Sequence, residues 1–170
     1  MDFFEVVEKR RSIRKFKPKP VPTEDLKKIL EAGRLAPSAG NRQPWHFIVV
    51  RNSETKKALS VAANNQKFIA DADTIVVALG NPEVNEKWYR QDVMIAVEHM
   101  VLAATALGYG TCWIGAFNEE EVKKILKVPE GLAVIALLPI GVTDEKPPPR
   151  PRKAFKEIFF KENFGVPLEL

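Results

Sequence analysis

Apolar residues recur along the chain with two periods, and the places where the period changes predict its elements. Phe3, Phe4, Val6 and Val7 predict the apolar side of a first helix that ends near a run of arginines. The segment KPKPVP (Lys17–Pro22) is expected to be extended, because each proline restricts the residue before it. Thr23 is expected to cap a second helix, with Glu24 and Asp25 in its first turn and Leu26, Ile29 and Leu30 on its buried face. APSAGNRQP (Ala36–Pro44) is dense in turn formers and reads as a loop, followed at once by WHFIVV, expected to be a buried strand. Ser53 is expected to cap a short helix reaching about Ala63, and TIVVALG (Thr74–Gly80) predicts a second buried strand. From about Glu86 to Leu107 a long helix is apolar around most of its circumference, which suits a core or a subunit interface. GYGTCWIGAF (Gly108–Phe117) predicts a turn and a short strand. Asn118 with Glu121 predicts a capping box opening a helix that ends near Lys127, and LAVIALLPIGV (Leu132–Val142) is a further strand.

After that strand the pattern changes. KPPPRPR (Lys146–Arg152) is stiff and polyproline-like, and the following AFKEIFFKENFGVPLEL carries four phenylalanines. An aromatic segment of this kind needs something to pack on, so it reads as an arm docking on its own subunit or on a partner. The expected organisation is one domain over residues 1–170, with the arm beginning at about residue 146.

Composition adds three constraints. The chain is 45% apolar and 28% charged, an ordinary balance for a globular protein, and its single cysteine, Cys112, excludes an intrachain disulfide. MDFFEVVEKRR places acid before base with no apolar run, and no apolar stretch is long enough to span a bilayer, so a cytoplasmic protein without a membrane partner is expected. The net charge of +4 hides an asymmetry. Residues 9–19 hold seven Lys/Arg and residues 146–156 hold five, with no acid in either segment, leaving 14 cations against 22 acids elsewhere. If these two segments meet in space they form one focused cationic site and not a diffuse nucleic-acid face.

The candidate chemistry narrows by elimination. Gly108, Gly110 and Gly115 follow a helix and miss the dinucleotide-binding spacing, and no phosphate-loop sequence is present. His46, His99 and Cys112 have no metal-ligand spacing, so no metal is expected. His46 reads as a hydrogen-bonded structural residue and Cys112 as a small core residue. Ser38 lacks a nucleophile elbow. With no evident nucleophile or acid–base pair, any chemistry falls to a cofactor. Ser38, Asn41 and Gln43 suit the edge of a heteroaromatic ring, and equally suit an ordinary polar loop.

Four segments taken in order, RRSIRKF (Arg10–Phe16), PSAGNRQPWHF (Pro37–Phe47), LGYGTCWIGAF (Leu107–Phe117) and PRPRKAFKEI (Pro149–Ile158), resemble the FMN-dependent nitroreductase family over Glu8 to about Phe159. The resemblance implies an α+β fold with a central, mainly antiparallel sheet flanked by helices, in an intertwined homodimer with an FMN site at each interface. It implies that Arg10 and Ser12, with Arg11 alongside, meet the phosphate or ribityl chain, and that Arg14 lies near the pyrimidine edge of the flavin. Pro37, Ser38, Ala39 and Asn41 match the segment packing along the flavin, often from the partner subunit, with Gln43 a weaker match. Gln66 matches an amide directed at the pyrimidine, and Ile114, Gly115 and Ala116 match the backbone that passes N5. Arg150 and Arg152 match the pair that closes on the phosphate. Lys15, Lys17 and Lys19 are expected to remain solvated.

The implied activity is that of an FMN-dependent NAD(P)H oxidoreductase, passing hydride through flavin N5 to a nitroaromatic or quinone acceptor, with no side chain acting as acid or base. Reductive dehalogenation or flavin breakdown on the same site are alternatives, as is a non-enzymatic basic binding module, whose affinity would fall steeply with salt. Many members carry a longer excursion over the flavin than NPEVNEKWYRQ (Asn81–Gln91) supplies. Trp88 and Tyr89 in it read equally as acceptor-pocket walls or as interface packing.

Overall fold

The apolar run TIVVALG and its neighbours are realised as a four-stranded sheet. The computed structural model describes residues 1–169. Its elements are α1 (Phe3–Lys9), α2 (Thr23–Arg34), β1 (Trp45–Val50), α3 (Ser53–Ala62), α4 (Phe68–Asp71), β2 (Thr74–Gly80), α5 (Tyr89–Ala106), β3 (Gly110–Thr111), α6 (Glu119–Leu126) and β4 (Ala133–Gly141). Short 3-10 turns lie at Ala39–Asn41 and Phe155–Glu157. The strands run in the order β1-β2-β4-β3, and every named pair is antiparallel. The expected α+β class and antiparallel sheet are therefore present.

Period-2 alternation sorts the sheet residues into two cores. Val76 and Ala78 of β2, with Ala136, Leu138 and Ile140 of β4, face Ile29 of α2 and Val93, Ala96, Val97 and Met100 of α5. Ile75, Val77 and Leu79, with Val134 and Leu137, face Leu59 of α3 and Val122 of α6. A bulge interrupts the β2–β4 register between Ala78 and Leu79, where the partner shifts from Ala136 to Val134 and Ile135 is passed over. Ile135 packs on the same side as Ala136, so the bulge lets two consecutive β4 residues serve one core. Helices thus cover both faces of the sheet.

Several local expectations are corrected. The residue before α2 is Pro22, whose carbonyl accepts from Asp25 and Leu26; Thr23 is already helical and caps nothing. Asn52, not Ser53, caps α3, its side chain accepting from Thr55 N–H at 3.0 Å. Of the apolar positions on α1 only Val6 is buried, while Phe3, Phe4 and Val7 are exposed. The long helix begins at Tyr89 and not at Glu86, after a turn, and the one-turn helix α4 carries no sequence signal strong enough to predict it. Asn118 does cap α6, accepting from Glu121 N–H at 3.1 Å, but the expected capping box is not completed, because Asn118 N–H donates to the Ala62 carbonyl at 2.8 Å.

Candidate functional site

The basic segment Arg10–Phe16 leaves α1 and passes along the end of the sheet. Ser12 bridges Thr111 of β3, and Ile13 N–H donates to the Thr111 carbonyl at 2.8 Å. Phe16 pairs with Thr143 just past β4, flanked by Lys17 N–H to Val142 O (2.8 Å) and Asp144 N–H to Lys15 O (2.9 Å). Two glycines make this close approach possible. A Cβ on Gly110 would lie 2.8 Å from the Ile13 side chain, and one on Gly141 would lie 2.8 Å from the Phe16 ring. Glu145 closes the pairing by accepting from the Arg14 backbone N–H through its side chain. This antiparallel pairing delivers the second basic segment, which follows Glu145, to the first.

The two segments line one cavity of about 590 Å³. Its walls carry five guanidinium groups, those of Arg10, Arg11, Arg14, Arg150 and Arg152, against the carboxylates of Glu8 and Glu145, with Ser12 and Pro147–Pro149 between them. None of the five arginines enters an ion pair among the described residues. Arg11 points Nη1 at the carbonyls of Glu8 (2.6 Å) and Arg10 (2.8 Å), while its Nε is buried without a partner. A buried donor left unmade costs about 1–3 kcal/mol. Five arginines facing only two carboxylates, and ion-paired with neither, leave a concave site with excess positive charge; this is a candidate seat for an anion, since a phosphate accepts their planar forks bidentately.

A second group lies beside this cavity. The Arg14 guanidinium sits 6.0 Å from the centroid of the Phe68 ring. Gln66, two residues before Phe68, donates from Nε2 to the carbonyls of Ala63 (2.9 Å) and Ala116 (3.3 Å). Asn64 reaches the same Ala116 carbonyl at 3.4 Å. Ile114 is anchored by reciprocal 3.0 Å bonds with Leu137, after which Gly115 and Ala116 are exposed. A Cβ at Gly115 would meet only Trp113 Nε1, at 4.0 Å, so this backbone faces open space. Gln66 and the 114–116 backbone are thus brought together, next to the cavity and not in its wall.

Pro37, Ser38, Ala39 and Asn41 do not line the cavity within one chain. Their loop is held in an unusual shape, with Gly40, Asn41 and Gln43 all at positive φ (61°, 53° and 50°). Ser38 Oγ closes it by accepting from Gln43 N–H at 2.9 Å, and Gln43 Nε2 donates to Asn41 O (3.2 Å) and Oδ1 (3.3 Å). Ala39 N–H donates to the Asp92 carboxylate at 3.0 Å. Sequence reasoning passed over Asp92, because an acid in the first turn of a helix reads as dipole-complementing and solvated.

The remaining titratable groups offer no alternative centre. Burial pushes the Cys112 thiol up, against the smaller opposing effects of Arg14 and a hydrogen bond with Ser12, so it stays protonated and unreactive at neutral pH. Burial likewise raises Glu98, with Arg10 opposing. His46 is exposed. Among the described residues no cluster of His, Cys, Asp or Glu is arranged to hold a metal ion, and no helix is long and apolar enough to cross a membrane.

A cation-lined cavity beside a helix-flanked antiparallel sheet defines an α+β protein with a candidate anion seat. More narrowly, the chain belongs to the nitroreductase family, whose profile matches residues 7–66 and 59–142. An Archaeoglobus fulgidus protein whose name pairs NADH dehydrogenase with NAD(P)H nitroreductase is 39% identical over 145 residues, 81% of this chain and 83% of its own. A nitroreductase family protein from Clostridium novyi NT superposes with a TM-score of 0.81 at 37% identity, covering 98% of this chain and 97% of that one. An FMN-dependent nitroreductase from Clostridium difficile R20291 does so with a TM-score of 0.88 at 32% identity, covering 95% and 99%.

Proposed function

We propose that this chain is an FMN-dependent NAD(P)H oxidoreductase that reduces nitroaromatic or quinone-type acceptors, working as a cytoplasmic homodimer. The observation that carries this reading is the meeting of Arg10, Arg11, Ser12 and Arg14 with Arg150 and Arg152 around one cavity, none of these arginines being ion-paired among the described residues. Family membership supplies the identity of the anion: a relative of 32% identity is FMN-dependent, and another is named for NAD(P)H.

The residues fit the group. Arg10, Arg150 and Arg152 supply forks for a phosphate dianion, and the orphaned Arg11 Nε gains an acceptor. Ser12 offers a hydroxyl beside them. Arg14, held over Phe68, sits where the ring system would lie if it extended toward Gln66 and the Gly115 backbone. FMN when bound supplies two-electron transfer between a nicotinamide and an acceptor. The chain supplies orientation, a cation near the ring edge at Arg14 that favours its anionic reduced form, and exposed backbone at Gly115 and Ala116. No protein acid or base is required. Nicotinamide and acceptor take the same position in turn, which gives ping-pong kinetics.

Pro37, Ser38, Ala39 and Asn41 complete the reading only if they belong to the other subunit's site, which is one reason for the homodimer. The single thiol, buried and unpaired, suits a reducing cytoplasm.

The deciding experiment removes one arginine from each basic segment. Arg10→Ala/Arg152→Ala should purify without flavin and bind added FMN at least about 100-fold more weakly, taking roughly 1.4 kcal/mol or more from each lost charged contact. Its circular dichroism should match that of the parent. A folded double variant that keeps its flavin would sink the proposal, as would a colourless parent that does not quench FMN fluorescence.

A further inference from the structure

Asp92 lies in the first turn of α5 and is 3% exposed, yet it enters none of the ion pairs among the described residues. Taking a carboxylate out of water costs several kcal/mol, and only neutral donors and the positive end of α5 oppose that cost here. Those donors come from two different loops. Ala39 N–H donates to Oδ1 at 3.0 Å, and Asn85 Nδ2 donates to Oδ2 at 3.3 Å. Asn85 is 4% exposed, and its own Oδ1 accepts from Trp88 N–H at 3.3 Å. Its carbonyl accepts from Tyr89 N–H at 3.0 Å, which ties the turn to the start of α5.

The bonds have a fixed direction. An ionised carboxylate only accepts, so Asn85 must present its NH₂ to Asp92 and its oxygen to Trp88. One chain of bonds therefore runs from the Trp88 amide through Asn85 to Asp92, where it meets the Ala39 amide. The loop it fixes carries its own hydrogen bonds but also strain, since Gln43 occupies the left-handed region at a cost of about 1–2 kcal/mol. The turn it fixes carries Trp88, an exposed indole with Lys87 Nζ 4.9 Å from its ring.

We propose that Asp92, acting through Asn85, is a positioning residue that locks the Pro37–Asn41 loop to the Trp88 turn, so that the flavin-facing loop and one wall of the acceptor pocket are set together. This rests on the flavin reading above. On this reading Trp88 is that wall, and the lock fixes its distance from the Pro37–Asn41 loop.

Because the bonds are directional, they can be exchanged. Asp92→Asn alone brings two NH₂ groups face to face, and Asn85→Asp alone brings two carboxylates face to face. The reciprocal double variant restores every bond: the amide introduced at position 92 accepts from Ala39 and donates to the carboxylate at 85, which still accepts from Trp88. In the apo-protein, each single variant should speed hydrogen exchange at both the Ala39 and Trp88 amides by about 10-fold or more. In the FMN-loaded enzyme each should raise KM for menadione by about 5-fold or more, with flavin content within about twofold of the parent. The double variant should return both readings to within about threefold of the parent, the signature of a directly coupled pair. If a single variant does not fold, recovery of a folded, protected double variant is the same rescue.

A double variant no better than the worse single overturns the lock. Rescued exchange with KM unmoved in all three variants overturns its role in acceptor binding. A parent that fails to take up FMN sinks the flavin reading instead, and is recognised before any variant is made.

Discussion

Gly110 decides how closely the cationic segment can lie on the sheet. Ile13 is buried between Ser12 and Arg14, and its side chain occupies the space that a Cβ on Gly110 would need. Both partners are held, Gly110 by its pairing with Gly141 and Ile13 by its bond to Thr111, so neither can yield without moving the main chain. Gly110→Ala should therefore destabilise the fold by about 1–3 kcal/mol, the usual cost of overpacking. It should also weaken FMN binding, because Arg14 and Ser12 move with Ile13. Thermal unfolding and flavin titration of the same sample check both; a variant as stable and as tight as the parent would show that the contact is no constraint. At this scale the sequence revealed charge well and burial poorly. A run of arginines without acids declares itself in a count, and so does its counterpart at Arg150 and Arg152. The burial of Asp92 and Asn85 depends on which loops fold over them, and nothing local distinguishes them from solvated polar residues.

Between elements, one hydrogen bond ties α2 to the start of β3. The Tyr109 hydroxyl donates to Asp25 Oδ2 at 2.7 Å, pushing the phenol ionisation up to about 12, and the same bond is the main cause holding the Asp25 carboxyl below its ordinary value. The signs follow by linkage. The phenol's pKa is raised by folding, so its contribution is complete below about pH 10 and is lost as pH climbs to about 12. The carboxyl's pKa is lowered by folding, so the same bond is also lost as pH falls below the ordinary carboxylate range, about pH 4. Tyr109→Phe should accordingly melt below the parent at neutral pH, with the gap closing toward alkaline pH. Asp25→Asn should bring one tyrosine ionisation back toward about 10 in a spectrophotometric titration; an unchanged titration would remove this bond from the account. Element types were legible because β2 and β4 are short continuous apolar runs and α5 is a long one. Their ends were not. Pro22 and Asn52 lie one residue before the hydroxyl residues expected to cap, and Asn52 competes for the cap on equal terms with Ser53. The bulge at Ala78/Leu79 leaves no trace in a run of apolar residues, because both faces of that strand are buried.

Across the whole molecule, apolar surface lies where one chain has nothing to cover it. Phe3, Phe4 (81% exposed) and Val7 of α1, and Met94 and Ile95 of α5, remain exposed on two helices that pack together. The aromatic arm does not relieve this. Among the described residues its rings pair only with each other, Phe155 with Phe159 and Phe160 with Phe164, and Phe164 is 93% exposed. Exposed apolar surface of this extent marks an interaction site, and a stable interface needs about 800 Å² from each partner. A second copy of the chain satisfies three needs together: it covers α1 and the outer face of α5, gives the arm a surface, and brings a Pro37–Asn41 loop to a cavity that lacks its own. Flavin binding and self-association are then one claim with one test. Ile95→Glu places a charge in the centre of that face, away from the cation-lined cavity. It should sediment as a monomer at concentrations where the parent is a dimer, and its FMN affinity should fall by about 10-fold or more as the partner's loop is lost. A monomer with parental FMN affinity would place the whole flavin site within one chain, and an undisturbed dimer would move the interface elsewhere.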